Sequence, residues 1–502
     1  MGYISVSGYS KAQSPLALAA LLLLCGCAVG PNFKTPAPPD VGRYSASPLP
    51  TAISTENADR QRFVPGGDIA GDWWTLFHSN ALNALIDRAL AGNPDLKAAQ
   101  AALAAAHENV LAQRGAFFPS LSASLSASRQ SQSQMLAPAP NFPAVPNEFQ
   151  YNLFTPQVTV SYAPDVFGLN RRTAEALEAQ EDSVRFQMVA AYTTLTSNVV
   201  VTAIQKASID EQIAAIRDLV ASNTRLLKIL QYQFDKGYAS GVDLAAQKSQ
   251  LAQTEAMLPP LLKQAMQLHD LLAVLTGRFP SQMPEEKIEL SSLTLPDQLP
   301  VSIPSALVEQ RPDIRQAEAN LHAASAQIGV AVANRLPNIQ LTANAGSSAL
   351  AFDRLFTPGT NFWSIAGAIA EPIFDGGTLL HQERAARASY RQAAQQYRST
   401  VLAAFQNVAD TLAALEQDAQ ALQASKIAAD AAQQTLDAVQ RQLADGYASY
   451  PALLSAEQAY QQARIALVQA QASRYADTAA LFQALGGGWW HRTDLVEDNH
   501  EK

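Results

Sequence analysis

Seven histidines are spread along the 502-residue chain: His78, His107, His269, His322, His381, His491 and His500. None makes an HExxH pair, and no two fall at the spacing that lets neighbouring side chains share a metal. No GxxxxGK[ST] loop is present to cradle a nucleotide, so energy for any vectorial work must come from a partner. Asp375-Gly376-Gly377 reads as a turn rather than a phosphate loop. Two cysteines occur, Cys25 and Cys27, both near the N-terminus. That excludes a disulfide scaffold, a zinc ribbon and a cysteine nucleophile in the body of the protein. The residue types that do chemistry thus point away from an enzyme, and no catalytic or metal site is expected. The net charge of −9 leaves no basic footprint for nucleic acid.

What the thiols can do is accept lipid. An apolar run from Pro15 to Leu24 is too short to span a bilayer and suits a signal-peptide core. It ends in Leu24-Cys25-Gly26-Cys27, an apolar residue at −3, a small one at −1 and then a cysteine, which resembles a lipobox. Cys27 fits better than Cys25, because Gly26 precedes it while bulky Leu24 precedes Cys25. The expected product is a chain cleaved before Cys27, with diacylglycerol and a fatty acyl group on that cysteine and no other cofactor. Ala28 follows, not the Asp that often holds such lipoproteins in an inner membrane. Acyl chains add membrane affinity of ~0.8 kcal/mol per buried CH₂.

The elements that must position this anchor form a duplicated unit. Asn93-Pro94-Asp95-Leu96 matches Arg311-Pro312-Asp313-Ile314 at an offset of 218, which holds through to Phe118-Pro119 and Leu336-Pro337. Gly237-Tyr238-Ala239-Ser240 recurs as Gly446-Tyr447-Ala448-Ser449 at an offset of 209. The expected layout is a signal segment 1–26, a Pro-rich lipidated tether 27–70, a first repeat 71–277, a connection 278–304, a second repeat 305–487 and a mobile tail 488–502. Each repeat reads helix, strand, strand, long helix, turn, helix. Strands are expected at about 119–163 and 337–371, long helices at about 171–235 and 378–444, and return helices at about 243–275 and 451–485.

Period-2 alternation of small polar and apolar residues, as in 120–128, suits a wall with water on one side; a soluble sandwich would alternate likewise. Only four strands, widely separated, argue against the sandwich. Neither Pro nor Gly interrupts Arg171 to Asp235 or Thr378 to Asp445. Val401, Phe405, Val408, Leu412, Leu415, Ala419 and Leu422 follow a heptad spacing, as do Ile209, Ile213, Ile216, Val220, Asn223, Leu227 and Leu230. Trp73-Trp74 suits packing, and Trp363 suits a membrane-interface girdle.

With Gly26-Cys27-Ala28-Val29-Gly30-Pro31-Asn32-Phe33, Asp72-Trp73-Trp74-Thr75-Leu76-Phe77, Asp165-Val166-Phe167-Gly168 and Pro372-Ile373-Phe374-Asp375-Gly376-Gly377 in this order on a duplicated frame, the sequence resembles the TolC/OprM/NodT family of outer-membrane efflux proteins, over roughly residues 25–487. The resemblance implies a mainly α protein with a membrane β-barrel contribution: a homotrimer whose protomers each give four strands to one 12-stranded barrel on a long α-helical periplasmic tube. It implies a passive channel of a tripartite efflux system in the outer membrane of a Gram-negative bacterium. Its partners would be outer-membrane lipid, a periplasmic adaptor (membrane fusion) protein and an inner-membrane transporter of RND or MFS type. Physics asks for the oligomer, since four strands leave two unpaired edges that lipid cannot satisfy.

Gly237 and Gly446 end the long helices, followed by Tyr238 and Tyr447, and the return helices are expected to begin near Asp243 and Pro451. The resemblance implies that these turns are periplasmic tips where the tube narrows and meets the adaptor. Asp243 falls where relatives place acids at the constriction, and a threefold ring of it would favour cations. Its plainer role is a helix cap. The second tip departs, with Ala452 and Ser455 where acids can occur. The competing readings are a lipid-anchored periplasmic coiled coil without a pore and, within the channel class, a protein-export channel.

Overall fold

The computed structural model describes residues 28–45, 61–133, 148–284 and 287–496. The expected signal segment, Cys27, residues 46–60 of the tether and residues 497–502 lie outside them. In chain order the elements begin with β1 (Arg62–Pro65), α1 (Asn80–Gly92), α2 (Pro94–Arg114), β2 (Ser120–Ser133), β3 (Glu148–Tyr162), α3 (Leu169–Asp235), α4 (Gly241–Ala256) and α5 (Leu258–Leu275). They continue with β4 (Gln298–Val301), α6 (Pro304–Gln310), α7 (Pro312–Ala333), β5 (Asn338–Ser347), β6 (Asn361–Ala370), α8 (Thr378–Ala444), α9 (Tyr450–Ala484) and a short α10 (Thr493–Val496). Two compact units result. Of the described residues, one holds 28–35, 104–133, 148–182 and 319–395, and the other holds 36–45, 61–103, 183–284, 287–318 and 396–496.

In the first unit, β2, β3, β5 and β6 form one antiparallel sheet in that order, with β2 and β6 at its edges. The register sorts the side chains by face. Leu121, Val160, Ala343 and Ile365 stand in one row across the four strands, and Ala123, Val158, Ala345 and Trp363 in the next but one. Between them runs Ser122, Thr159, Asn344 and Ser364. A soluble sandwich would bury the apolar rows under a second sheet. Here Leu121, Ile365 and Trp363 are 73%, 78% and 76% exposed.

The second unit is mainly helical, with the short strands β1 and β4 beside its helices. Absence of Pro and Gly lets α3 and α8 run 67 residues each, about 100 Å at 1.5 Å rise. The α8 heptad positions Val401, Val408, Leu412, Leu415, Ala419 and Leu422 are buried, as are Ile209, Ile213, Ile216 and Leu230 of α3. Asn223, the polar member of the α3 seam, is also buried, and it accepts from the Gln247 amide of α4 at 3.1 Å. A hydrogen-bonded polar pair within an apolar seam sets the register of the two helices. Trp73 and Trp74 are buried as expected, with Trp73 stacked on Phe482 at 5.2 Å.

Three segments differ from the expectation. The first return helix is two helices, α4 and α5, separated at Met257. Pro259 and Pro260 lack the N–H groups that would bond back across the break, while the helical dihedrals at Met257 (φ −76°, ψ −22°) keep the chain in helical conformation. The tether contains a strand: β1 pairs in parallel with β4 from the inter-repeat connection. The C-terminal segment is packed rather than loose as far as it is described. Trp489 donates to the Gln310 carbonyl at 2.7 Å, Trp490 to Asp68 at 3.0 Å, and Arg492 lies over the Tyr192 ring.

Candidate functional site

The two helix reversals are built alike. At the first, Tyr238 N–H donates to the Gln233 carbonyl at 2.8 Å and Gly237 N–H to that of Phe234 at 2.9 Å. At the second, Tyr447 donates to Gln442 at 2.7 Å and Gly446 to Leu443 at 3.2 Å. This double bond pattern closes a helix through a left-handed residue, and both glycines sit at φ +79°. Tyr238 and Tyr447 are 84% and 86% exposed, so each reversal presents an aromatic ring to solvent.

The return helices start differently. Ser240 caps α4, its hydroxyl accepting from Asp243 N–H at 3.1 Å and donating to the Asp243 carboxylate at 2.7 Å. Asp243 is therefore the third residue of a reciprocal cap. Ser449 caps α9 with no side-chain bond, and Pro451 occupies the first turn, where its missing N–H costs nothing. The two reversals are brought near each other. Burial raises the Tyr450 hydroxyl pKa, and the carboxylates of Glu457 and Asp243 add to the effect.

Two acidic positions went unread in the sequence. Glu457 of α9 is 3% exposed, and its Oε2 has no hydrogen-bond partner among the described residues. Burial pushes its carboxyl pKa up to about 7. With Asp218, Tyr460 and Arg464 it lines a cavity of about 170 Å³. Asp418 of α8 is raised to about 7 by burial and by the Asp477 carboxyl across the α8–α9 seam. The heptad pattern hides both, because it marks apolar positions and not polar ones enclosed beside them.

The motifs at the strand–helix junctions are caps. Asp165 accepts from the N–H groups of Asn170 and Arg171 at the start of α3, and Asp375 from those of Gly377 and Leu379 at the start of α8. Among the described histidines, His107 meets Glu181, His322 meets Glu175 and His491 meets Asp68. No group of three or more His, Cys, Asp or Glu among the described residues is placed to hold a metal.

The family profile described as "Outer membrane efflux protein" matches residues 85–278 and 303–487, that is, both repeats. The pyoverdine export outer membrane protein OpmQ of Pseudomonas putida is 30% identical over 470 residues, covering 91% of this chain and 94% of that protein. The toluene efflux pump outer membrane protein TtgC of Pseudomonas putida is 29% identical, covering 96% of this chain and 97% of that protein. The open state of the MtrE outer membrane channel of Neisseria gonorrhoeae superposes with a TM-score of 0.77 at 25% identity, over 92% of this chain and 98% of that one.

Proposed function

The chain belongs to the outer membrane efflux protein family, and on that premise we propose that its two helix reversals are the docking and gating tips of the channel. The protein is the outer-membrane component of a tripartite efflux system and conducts solutes without chemical change. It is a trimer that works with a periplasmic adaptor and an inner-membrane transporter.

The observation that carries the channel reading is the sheet register. Apolar rows face one side, Ser, Thr and Asn rows face the other, and neither edge strand has a second neighbour among the described residues. In lipid such edges must be paired, and four strands are too few to close. Three copies supply twelve strands and two would supply eight, a ring narrow for solutes. The polar rows are chemically generic, so the choice of solute falls to the pump.

At the tips, exposed Tyr238 and Tyr447 offer rings for an adaptor to cover, and a ring of Asp243 would set cation preference at the aperture. Lipid on Cys27 would add a second hold on the membrane beside the strands. Mass determination of the detergent-extracted protein tests the assembly. A trimer is the expected result, and a water-soluble monomer without lipid would move the assignment to a periplasmic coiled coil.

A further inference from the structure

The first described residues are held by side chains that the duplicated wall does not need. Val29 N–H donates to the Phe167 carbonyl at 3.1 Å. Arg172 of α3, only 4% exposed, turns back onto the same stretch. Its guanidinium donates to the carbonyls of Ala28, Val29 and Gly30 at 3.5, 2.9 and 3.4 Å, and to the Asn32 side chain at 2.7 Å. Glu175, at 2.6 Å, compensates its charge. The other Glu175 oxygen lies 3.1 Å from His322 Nε2, and Phe33 stacks on the His322 ring at 4.4 Å with the planes 13° apart.

The fit leaves no room at the backbone. Gly30 sits at φ +94°, and a Cβ there would fall 2.5 Å from Gly329 Cα. A Cβ on Gly329 would fall 2.7 Å from Arg172 Cγ, and one on Gly168 2.6 Å from Ala28 Cα.

The duplication supplies an internal control. The repeat offsets set Ala104 opposite His322, Leu111 opposite Gly329, His381 opposite Arg172 and Arg384 opposite Glu175. The residues at all four of these counterpart positions are exposed. A residue required by the helix–strand wall itself would be expected in both repeats. These four occur where the N-terminal segment lies and not in the other copy.

We propose that Arg172, Glu175, His322 and Gly329 form a latch for the start of the mature chain. It seats the residues beside Cys27 against the turn between β3 and α3, and so sets the level at which the lipid enters the bilayer. The inference rests on Cys27 being the acylated residue, one peptide bond from Ala28. An unlatched tether would let the anchor wander by ~3.5 Å per freed residue. One guanidinium reading three successive carbonyls holds main chain whatever the neighbouring side chains are, and charge-assisted bonds are the strong ones. These are positioning residues and touch no solute.

The test uses full-length protein labelled with radioactive palmitate in cells and recovered as trimers in outer membranes. A lysine-specific protease, which leaves the exposed Arg43 of the tether uncut, separates the labelled peptide from the rest of the chain on a denaturing gel by cutting after Lys34. Arg172→Ala, and separately the double variant Asn32→Ala with Phe33→Ala, should release label about tenfold faster than the unaltered protein, because cleavage requires local opening. The double variant leaves the wall untouched and so guards against a folding defect in Arg172→Ala. Cys27→Ser should carry no label. Label confined to Cys27 but released at equal rates in all proteins overturns the latch. Label persisting in Cys27→Ser overturns the lipid assignment on which the latch depends.

Discussion

Asp243 has a capping role and a proposed aperture role, and a substitution can separate them. Its carboxylate completes the Ser240 cap of α4, and its charge would stand at the aperture of the assembled channel. Asp243→Asn keeps an acceptor for the Ser240 hydroxyl and removes the charge, with a stability cost of at most ~1 kcal/mol. Cation selectivity in planar bilayers should fall in Asp243→Asn as much as in Asp243→Ala. Unchanged reversal potentials in both would leave Asp243 as a cap alone. Glu457 makes a prediction about acidity. Its folded pKa, about 7, lies above the ordinary 4.5, so the folded chain binds the proton more tightly than the unfolded chain does. The contribution of this group to stability, on the order of 3 kcal/mol, is fully present below about pH 4.5 and is lost as pH rises through 7. Asp418 acts in the same direction. Thermal melts should show the trimer more stable at pH 5.5 than at pH 7.5, with a smaller difference in Glu457→Gln. Equal pH dependence in that variant would show that Glu457 is not the source.

At the scale of elements, the reversals and the sheet make separate predictions. Proline cannot take the φ of +79° found at Gly237 and Gly446, and it removes the N–H that each donates to close the helix. Gly237→Pro or Gly446→Pro should abolish efflux in a strain lacking its own channel while trimers persist. Normal drug resistance in those variants would count against the reversals as docking sites. On β6, Ile365→Arg places a charge on the apolar face at a cost of about 2–4 kcal/mol near the bilayer midplane. The adjacent Ser364→Arg falls on the polar face. The first should reduce heat-resistant trimer on gels, and the second should leave the trimer intact and lower conductance. The long helices and reversals were legible in the sequence because Gly and heptad apolar residues act locally. The break at Met257 was legible too, in Pro259-Pro260, which a single return helix overlooks. The β1–β4 pair was not, since four residues carry no period and their partners lie more than 200 positions away.

At the scale of the molecule, duplication made the architecture readable: matching turns in matching order imply one unit used twice. Its departures are where the sequence was silent. Arg172, His322 and Phe33 form one cluster from three distant segments, and nothing in their spacing joins them. The C-terminal tryptophans are similar, as their bonds to Gln310 and Asp68 emerge only in the folded chain. The central claim is that three copies close one sheet into a pore. Single-channel recording of purified trimers in planar bilayers tests it most directly, with Asp243→Asn trimers run beside them so that a closed aperture is opened or eased. Discrete conductance steps, altered in amplitude by Ser364→Arg on the polar face, are the predicted result. Trimers electrically silent in every variant would contradict the account.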